Sequence, residues 1–196
     1  MKVTKEKAEE NRRQVIETSS RLFREKGFDG VGVNTLMQAA GLTHGGFYKQ
    51  FESKDDLIAK ATKAALDQTA QRMSSLIGQV RPASSDFRHD ALEKAVDLYL
   101  SAQHRDGVGE GCAFAALGAD VARHGPEVRK VMQSGVEEQL QLLELLVEAK
   151  GQSSGREAAI ATMATMVGAL VLARAVENTA LSSEILEAAS KSILET

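Results

Sequence analysis

The 196-residue chain predicts an all-α fold of about nine helices, on three observations. Helix formers such as Ala, Leu and Glu are abundant, and the only prolines are Pro82 and Pro126. Apolar residues recur at spacings of three and four along most segments, which places them on one face of a helix. No stretch alternates apolar and polar residues with β-branched enrichment, so no strand is expected. With 43% hydrophobic residues, the chain can bury a real core.

The first helix is expected over about 5–26, with Val15, Ile16, Ser19, Leu22 and Phe23 on one face. Gly27 stops it, as glycine commonly does just past a helix end. A turn with Phe28 as a core plug leads to a second helix over about 33–40, with Gly32 at its N-cap. Gly41 ends that helix, Leu42 turns the chain inward, and Thr43 caps a third helix over about 44–51. Phe47 and Phe51, four apart, share its buried face. Ser53 caps the fourth helix, and Asp55 and Asp56 fall in its first turn, where the helix dipole favours negative charge. Its stripe of Leu57, Ile58, Ala61, Ala65 and Leu66 continues toward Gly78.

A linker with Pro82 precedes a fifth helix over about 86–104, and a glycine-rich break at Gly107, Gly109 and Gly111 precedes a sixth over about 112–123. Pro126 opens a seventh helix over about 126–150, at a position that suits proline. The eighth, about 156–178, is apolar on nearly every side, and the ninth covers about 183–195. Two domains are expected, 1–60 and 61–196.

Composition narrows the function. A single cysteine, Cys112, allows no internal disulfide. No apolar segment follows the charged N-terminus, so no signal peptide is expected. The apolar uncharged run 158–173 falls short of the roughly 18 apolar residues that a membrane span needs. A cytoplasmic chain without a membrane partner is expected. The net charge of −3 divides into +2 over 1–60 and −5 over 61–196, a basic front on an acidic body. His44, His89, His104 and His124 lack metal-ligand spacing, and no phosphate loop, dinucleotide fingerprint or nucleophile elbow is present. An enzyme is therefore not expected, and no catalytic residue, metal or cofactor is assigned.

The stretch "GLTHGGFYKQFESKDDL" (41–57) sets two glycines where a short helix should be. Each costs a helix of order 1 kcal/mol against Ala. Two short helices joined by Gly41-Leu42-Thr43 form a helix-turn-helix, whose second helix enters the DNA major groove by its N-terminal end. Without side chains at Gly45 and Gly46, that end can approach bases and phosphates closely. Thr43, His44, Tyr48 and Lys49 are then candidates for base and phosphate contacts. Asn34 and Thr35 can meet flanking phosphates, and Lys54 can grip the DNA backbone from the next helix start. The alternative is a helical interaction module whose hairpin contacts protein.

These residues carry a resemblance. "LFREKGFDGVGVNTLMQAAGLTHGGFYKQFESKDDLIAKA" resembles the DNA-binding domain of the TetR family of bacterial repressors. The matching positions are Gly27-Phe28, Ala39 to Thr43, Gly45, Phe47-Tyr48, Phe51, Ser53-Lys54 and Leu57. Three positions depart from the pattern: Gly46 where Thr or Ser is common, His44 where Lys or Arg is frequent, and Gly32 in place of a Ser or Thr cap. The segment "EGCAFAALGADVARHGPEVRKVM" is similar to a Gly-Cys-containing stretch in a subgroup of these repressors.

The resemblance implies a homodimeric transcriptional repressor, bound to a palindromic double-stranded DNA operator and released by a small-molecule effector. It implies a dimer seam through the helices at about 156–178 and 183–195, where Ala164, Gly168, Ala169 and Ala173 allow close approach. The functional counterpart is an effector pocket among the fourth to seventh helices. The fourth and fifth would contribute Met73, Leu76, Tyr99, Leu100 and His104. The sixth and seventh would contribute Cys112, Phe114, Leu117, Met132 and Val136. No carboxylate is an obvious partner for a cation, which favours an apolar or weakly polar effector. Cys112 reads either as a small buried hydrophobe or as a thiol sensor helped by a helix dipole.

Overall fold

Thr4 opens the first helix, α1 (Lys5–Lys26), by accepting the Lys7 N–H on its hydroxyl at 3.2 Å. Gly27 closes it at φ +73°, and its N–H bonds the Phe23 carbonyl at 2.8 Å. A side chain would be strained in that left-handed conformation. The computed structural model describes residues 4–79, 87–147 and 154–195. After α1 come α2 (Val33–Ala39), a 3-10 turn (His44–Lys49), α3 (Lys54–Gln79), α4 (Phe87–Tyr99) and α5 (Ala102–Asp106). A second 3-10 turn (Val108–Glu110) leads to α6 (Ala113–Arg123), α7 (Pro126–Glu144), α8 (Gly155–Ala175) and α9 (Thr179–Leu194). The described residues form an all-α fold without strands.

The main core joins the N-terminal helices to the body. Phe23, Phe28, Phe47 and Leu57 belong to the same buried cluster as Leu117 and Val121 of α6 and Leu170 of α8. The helix α3 runs through residue 60 and links the N-terminal helices to the body. A second cluster joins Met73 of α3 to Ala91 and Ala95 of α4, Leu140 and Leu143 of α7, and Ala159 of α8. A third places Val96 and Leu100 against Ala169, Ala173 and Leu186 of α8 and α9.

Several boundaries differ from the expectation. The turn at 44–49 is 3-10 rather than α-helical: Gly46 bonds back to Thr43 and Gln50 to Phe47, each across three residues. Two adjacent glycines weaken any helix here. The expected helix at 86–104 divides after Tyr99, because Ser101 caps α5 by accepting the His104 N–H at 3.1 Å. The helix expected to reach 150 ends at Glu144, and 148–153 fall outside the described residues, as does Pro82. The eighth helix stops at Ala175, three residues before Asn178, which caps α9 through the N–H groups of Ala180 and Leu181.

Ser154 and Glu157 form a capping box that starts α8: Glu157 N–H donates to the Ser154 hydroxyl and Ser154 N–H to the Glu157 carboxylate. The resulting 21-residue helix corrects the membrane arithmetic. Its 18-residue window of mean hydropathy 1.7 is long and apolar enough to cross a bilayer by length and composition. Only 28% of that window is buried, although α8 packs against α7 and α9.

Candidate functional site

Phe47 and Phe51 hold the glycine tip from behind. Their ring centroids lie 5.4 Å apart, both are buried, and Leu36 and Met37 of α2 join them in the core. From α1, Arg12 donates to the Gln50 carbonyl, and its guanidinium carbon lies 5.0 Å from the centre of the Phe51 ring. With the apolar residues anchored inside, the polar ones come outside. Asn34, Thr35, Thr43, His44, Gly45, Tyr48 and Lys49 are all exposed, and Tyr48 is 70% exposed despite its size. Its ring meets His44 edge-on at 6.0 Å. Thr43 occupies the N-cap position, but its hydroxyl makes no capping bond.

The glycines divide into two kinds. Gly41, at φ +70°, is required by the turn itself. Gly45 is not in the left-handed region, and a Cβ there would meet nothing within 4 Å. A Cβ on the half-buried Gly46 would make only ordinary contacts, 3.6 Å to Met37 Cε and 3.9 Å to Gln50 Nε2. Internal packing therefore does not dictate glycine at the tip.

Lys54 is turned inward, contrary to its expected grip on a nucleic-acid backbone. Its Nζ donates to the Phe28 carbonyl at 2.6 Å, in a half-buried position. The same Phe28 donates its N–H to Asp120 Oδ2 of α6 at 3.0 Å, and its ring centroid lies 4.9 Å from that of His124. The turn after α1 is thus clamped from α3 and from α6.

A cavity of about 770 Å³ opens in the body, walled by α3, α4, the α5–α6 connection, α7 and α8. Met73, Leu76, Tyr99, His104, Cys112 and Phe114 line it. Leu100, Leu117, Met132 and Val136 do not. Leu100 packs toward α8 and α9, Leu117 is fully buried in the main core, and Met132 and Val136 pack against that core. The sequence reading missed Gln68 and Arg72 of α3, Gln139 of α7, and Met163, Met166 and Val167 of α8. Gln68, Arg72 and Leu76 are one helical turn apart, a signal hidden because two of the three are polar.

The polar end of the cavity is tightly wired. His104 Nδ1 lies 2.6 Å from the Tyr99 carbonyl, and Nε2 accepts the Cys112 N–H at 2.9 Å. Nε2 must then be the bare nitrogen and Nδ1 the donor, which describes a neutral imidazole. Burial also pushes the His104 pKa down, against the opposing pull of the Tyr99 carbonyl. Burial pushes the Cys112 thiol up, so the thiolate that a sensor needs is disfavoured despite the nearby helix start. The Tyr99 phenol is driven well above its ordinary value, first by burial and then by Cys112.

One buried cation ties this cavity to α1. Arg24, only 4% exposed, donates to Gln68 Oε1 at 3.0 Å, to the Gly111 carbonyl at 3.0 Å and to the Ser20 carbonyl at 3.2 Å. Gln68 lines the cavity, and Gly111 precedes Cys112, which also lines it.

Comparison with known proteins agrees with this geometry. Residues 15–61 match the model of the bacterial regulatory proteins, tetR family. The HTH-type transcriptional regulator AcrR of Shigella flexneri is 33% identical over 57 residues, which are 29% of this chain and 26% of that protein. Three of the curated relatives are matched over only 23% to 35% of their own length. The HTH-type transcriptional repressor NemR of Escherichia coli is 24% identical over 148 residues, 76% of this chain and 70% of that protein. The crystal structure of the reduced form of E. coli NemR has the same fold, with a TM-score of 0.79 at 21% identity over 95% of this chain and 96% of that one. A TetR transcriptional regulator from Chloroflexus aurantiacus is as similar, with a TM-score of 0.79 at 25% identity over 97% and 95%. Through residues 15–61, the chain is thus similar to the tetR family of bacterial regulatory proteins.

Proposed function

We propose that this chain is a DNA-binding transcriptional repressor, working as a homodimer that leaves a palindromic operator when a small, mostly apolar effector fills the cavity. The observation that carries the reading is the tip at Gly45: it is exposed, sterically empty and flanked by Thr43, His44, Tyr48 and Lys49. A backbone left bare there serves close approach to a duplex. NemR, similar over most of this chain, is described as a repressor. Ile160, Val171 and Leu172 of α8 and Leu181 of α9 are large apolar residues left exposed in the single chain, and a second copy covering them would give the two reading heads that a palindrome needs.

Release requires an effector that binds the DNA-incompetent state more tightly than the competent one. Arg24 supports such coupling, because it holds a cavity-lining glutamine and α1 at once. Selection of bound duplexes from a random pool tests the reading, with the ligand-free protein at low ionic strength. A palindromic consensus is expected. A strictly monomeric protein that enriches no duplex would overturn it.

A further inference from the structure

On the reading of the cavity as an effector site, we infer that its ligand is a neutral, flat aromatic molecule carrying at least one hydroxyl group. Three features converge. The apolar lining is rich in sulfur and rings: Met73, Met163 and Met166 with Phe114 and Tyr99. Thioethers adapt in shape and contact aromatic faces and edges favourably, so such a wall suits a flat π-system better than a branched aliphatic one.

Two polar atoms are also left over in this lining. The Gln139 side-chain oxygen is buried without a hydrogen-bond partner, and the buried Tyr99 hydroxyl has no oxygen or nitrogen partner, only the weakly bonding Cys112 thiol beside it. Gln139 as a whole is 6% exposed. Native proteins pair nearly all such atoms, so these two mark where a ligand or water completes the site. Tyr99 can donate and Gln139 Oε1 can accept. A ligand hydroxyl can meet either need, by accepting from the phenol or by donating to the amide oxygen.

The charged groups around the cavity have protein partners, with one exception at Arg174. His104 is held neutral by its two hydrogen bonds. Arg72 donates to the Glu110 carbonyl and lies 3.5 Å from the Glu110 carboxylate. Arg174 stands behind Gly111 rather than in the lining, and donates to the carbonyls of His104 and Arg105 at 2.8 Å each. Its Nη1 is buried without a partner, so an anion is the competitor that the test must include.

The test is fluorescence titration of the full-length protein at neutral pH with pyrene, 1-hydroxypyrene, 1-pyrenecarboxylate and 1-pyrenemethylammonium. The chain has no Trp to interfere. 1-Hydroxypyrene should bind about tenfold more tightly than either ion and several-fold more tightly than pyrene. Tyr99→Phe and Gln139→Leu should each reduce that hydroxyl preference while retaining pyrene itself, which also reports an intact cavity. Tightest binding of the carboxylate would overturn the inference in favour of Arg174. Equal binding of pyrene and 1-hydroxypyrene would assign the two polar atoms to water. Displacement by 1-dodecanol at equal affinity would remove the aromatic requirement, and no binding by any probe would sink the inference outright. The ligand-free duplex selection is independent of these results. Its failure with the probe ranking intact removes the repressor, and its success with the ranking reversed removes only the ligand class.

Discussion

The glycine tip and the cavity treat polar groups in opposite ways. At the tip, Phe47 and Phe51 are buried and every polar neighbour from Thr43 to Lys49 is exposed, so the fold gains its stability from behind and leaves the front bare. In the cavity, the amide oxygen of Gln139 is inside and unpaired, and the hydroxyl of Tyr99 is inside with only the Cys112 thiol beside it. A surface that meets a large polyanion can keep its polar groups in water until contact. A cavity that discriminates among small molecules must hold them in advance, at a cost in stability.

Substitutions can break this contrast. The largest expected effect is Phe47→Ala, which empties the anchor behind the tip and should cost about 3–5 kcal/mol in denaturant unfolding. Lys54→Met follows. It leaves the Phe28 carbonyl without its donor and should cost about 1–3 kcal/mol, while the salt dependence of duplex binding stays as it was. If that salt slope becomes shallower instead, Lys54 touches phosphate and its inward bond gives way on binding.

Gly45→Ala sharpens the contrast from the other side. Nothing lies within 4 Å of the added methyl, so stability should stay within about 0.5 kcal/mol while duplex affinity falls by about tenfold. Unchanged affinity would show that the bare backbone serves no close approach. Lys49→Ala should also leave stability alone, and should make the plot of log affinity against log salt shallower by about one.

The smallest effect belongs to His104. Burial lowers its pKa in the folded chain, so below the ordinary imidazole value the unfolded chain takes the extra proton more readily. The stabilising contribution is whole above about pH 6.5 and is lost as the pH falls through the lower folded value. The melting temperature should therefore drop on mild acidification, and His104→Gln should flatten that dependence.

The tip was legible because its determinants are local. Gly27, Gly41 and Thr43 stand at the turns, and Phe47 and Phe51 are spaced for one buried face. Lys54 misled, since a lysine at a helix start looks exposed until the carbonyl of Phe28, 26 residues earlier, is brought beside it. Four of the ten expected lining residues were misplaced for the same reason. Leu100, Leu117, Met132 and Val136 share the apolar character of Met73 and Leu76, and helical spacing cannot tell a face that packs from a face that borders a void.

By itself the sequence determined most of the helices, their turn signals and the exposed glycine tip, because periodicity, caps and glycine conformations act within a few residues of chain. Tertiary structure alone decided where the cavity lies, which side chains line it and that Arg24 bridges it to α1. Those depend on contacts such as Arg24 with Gly111, 87 residues apart, whose partners only packing can choose.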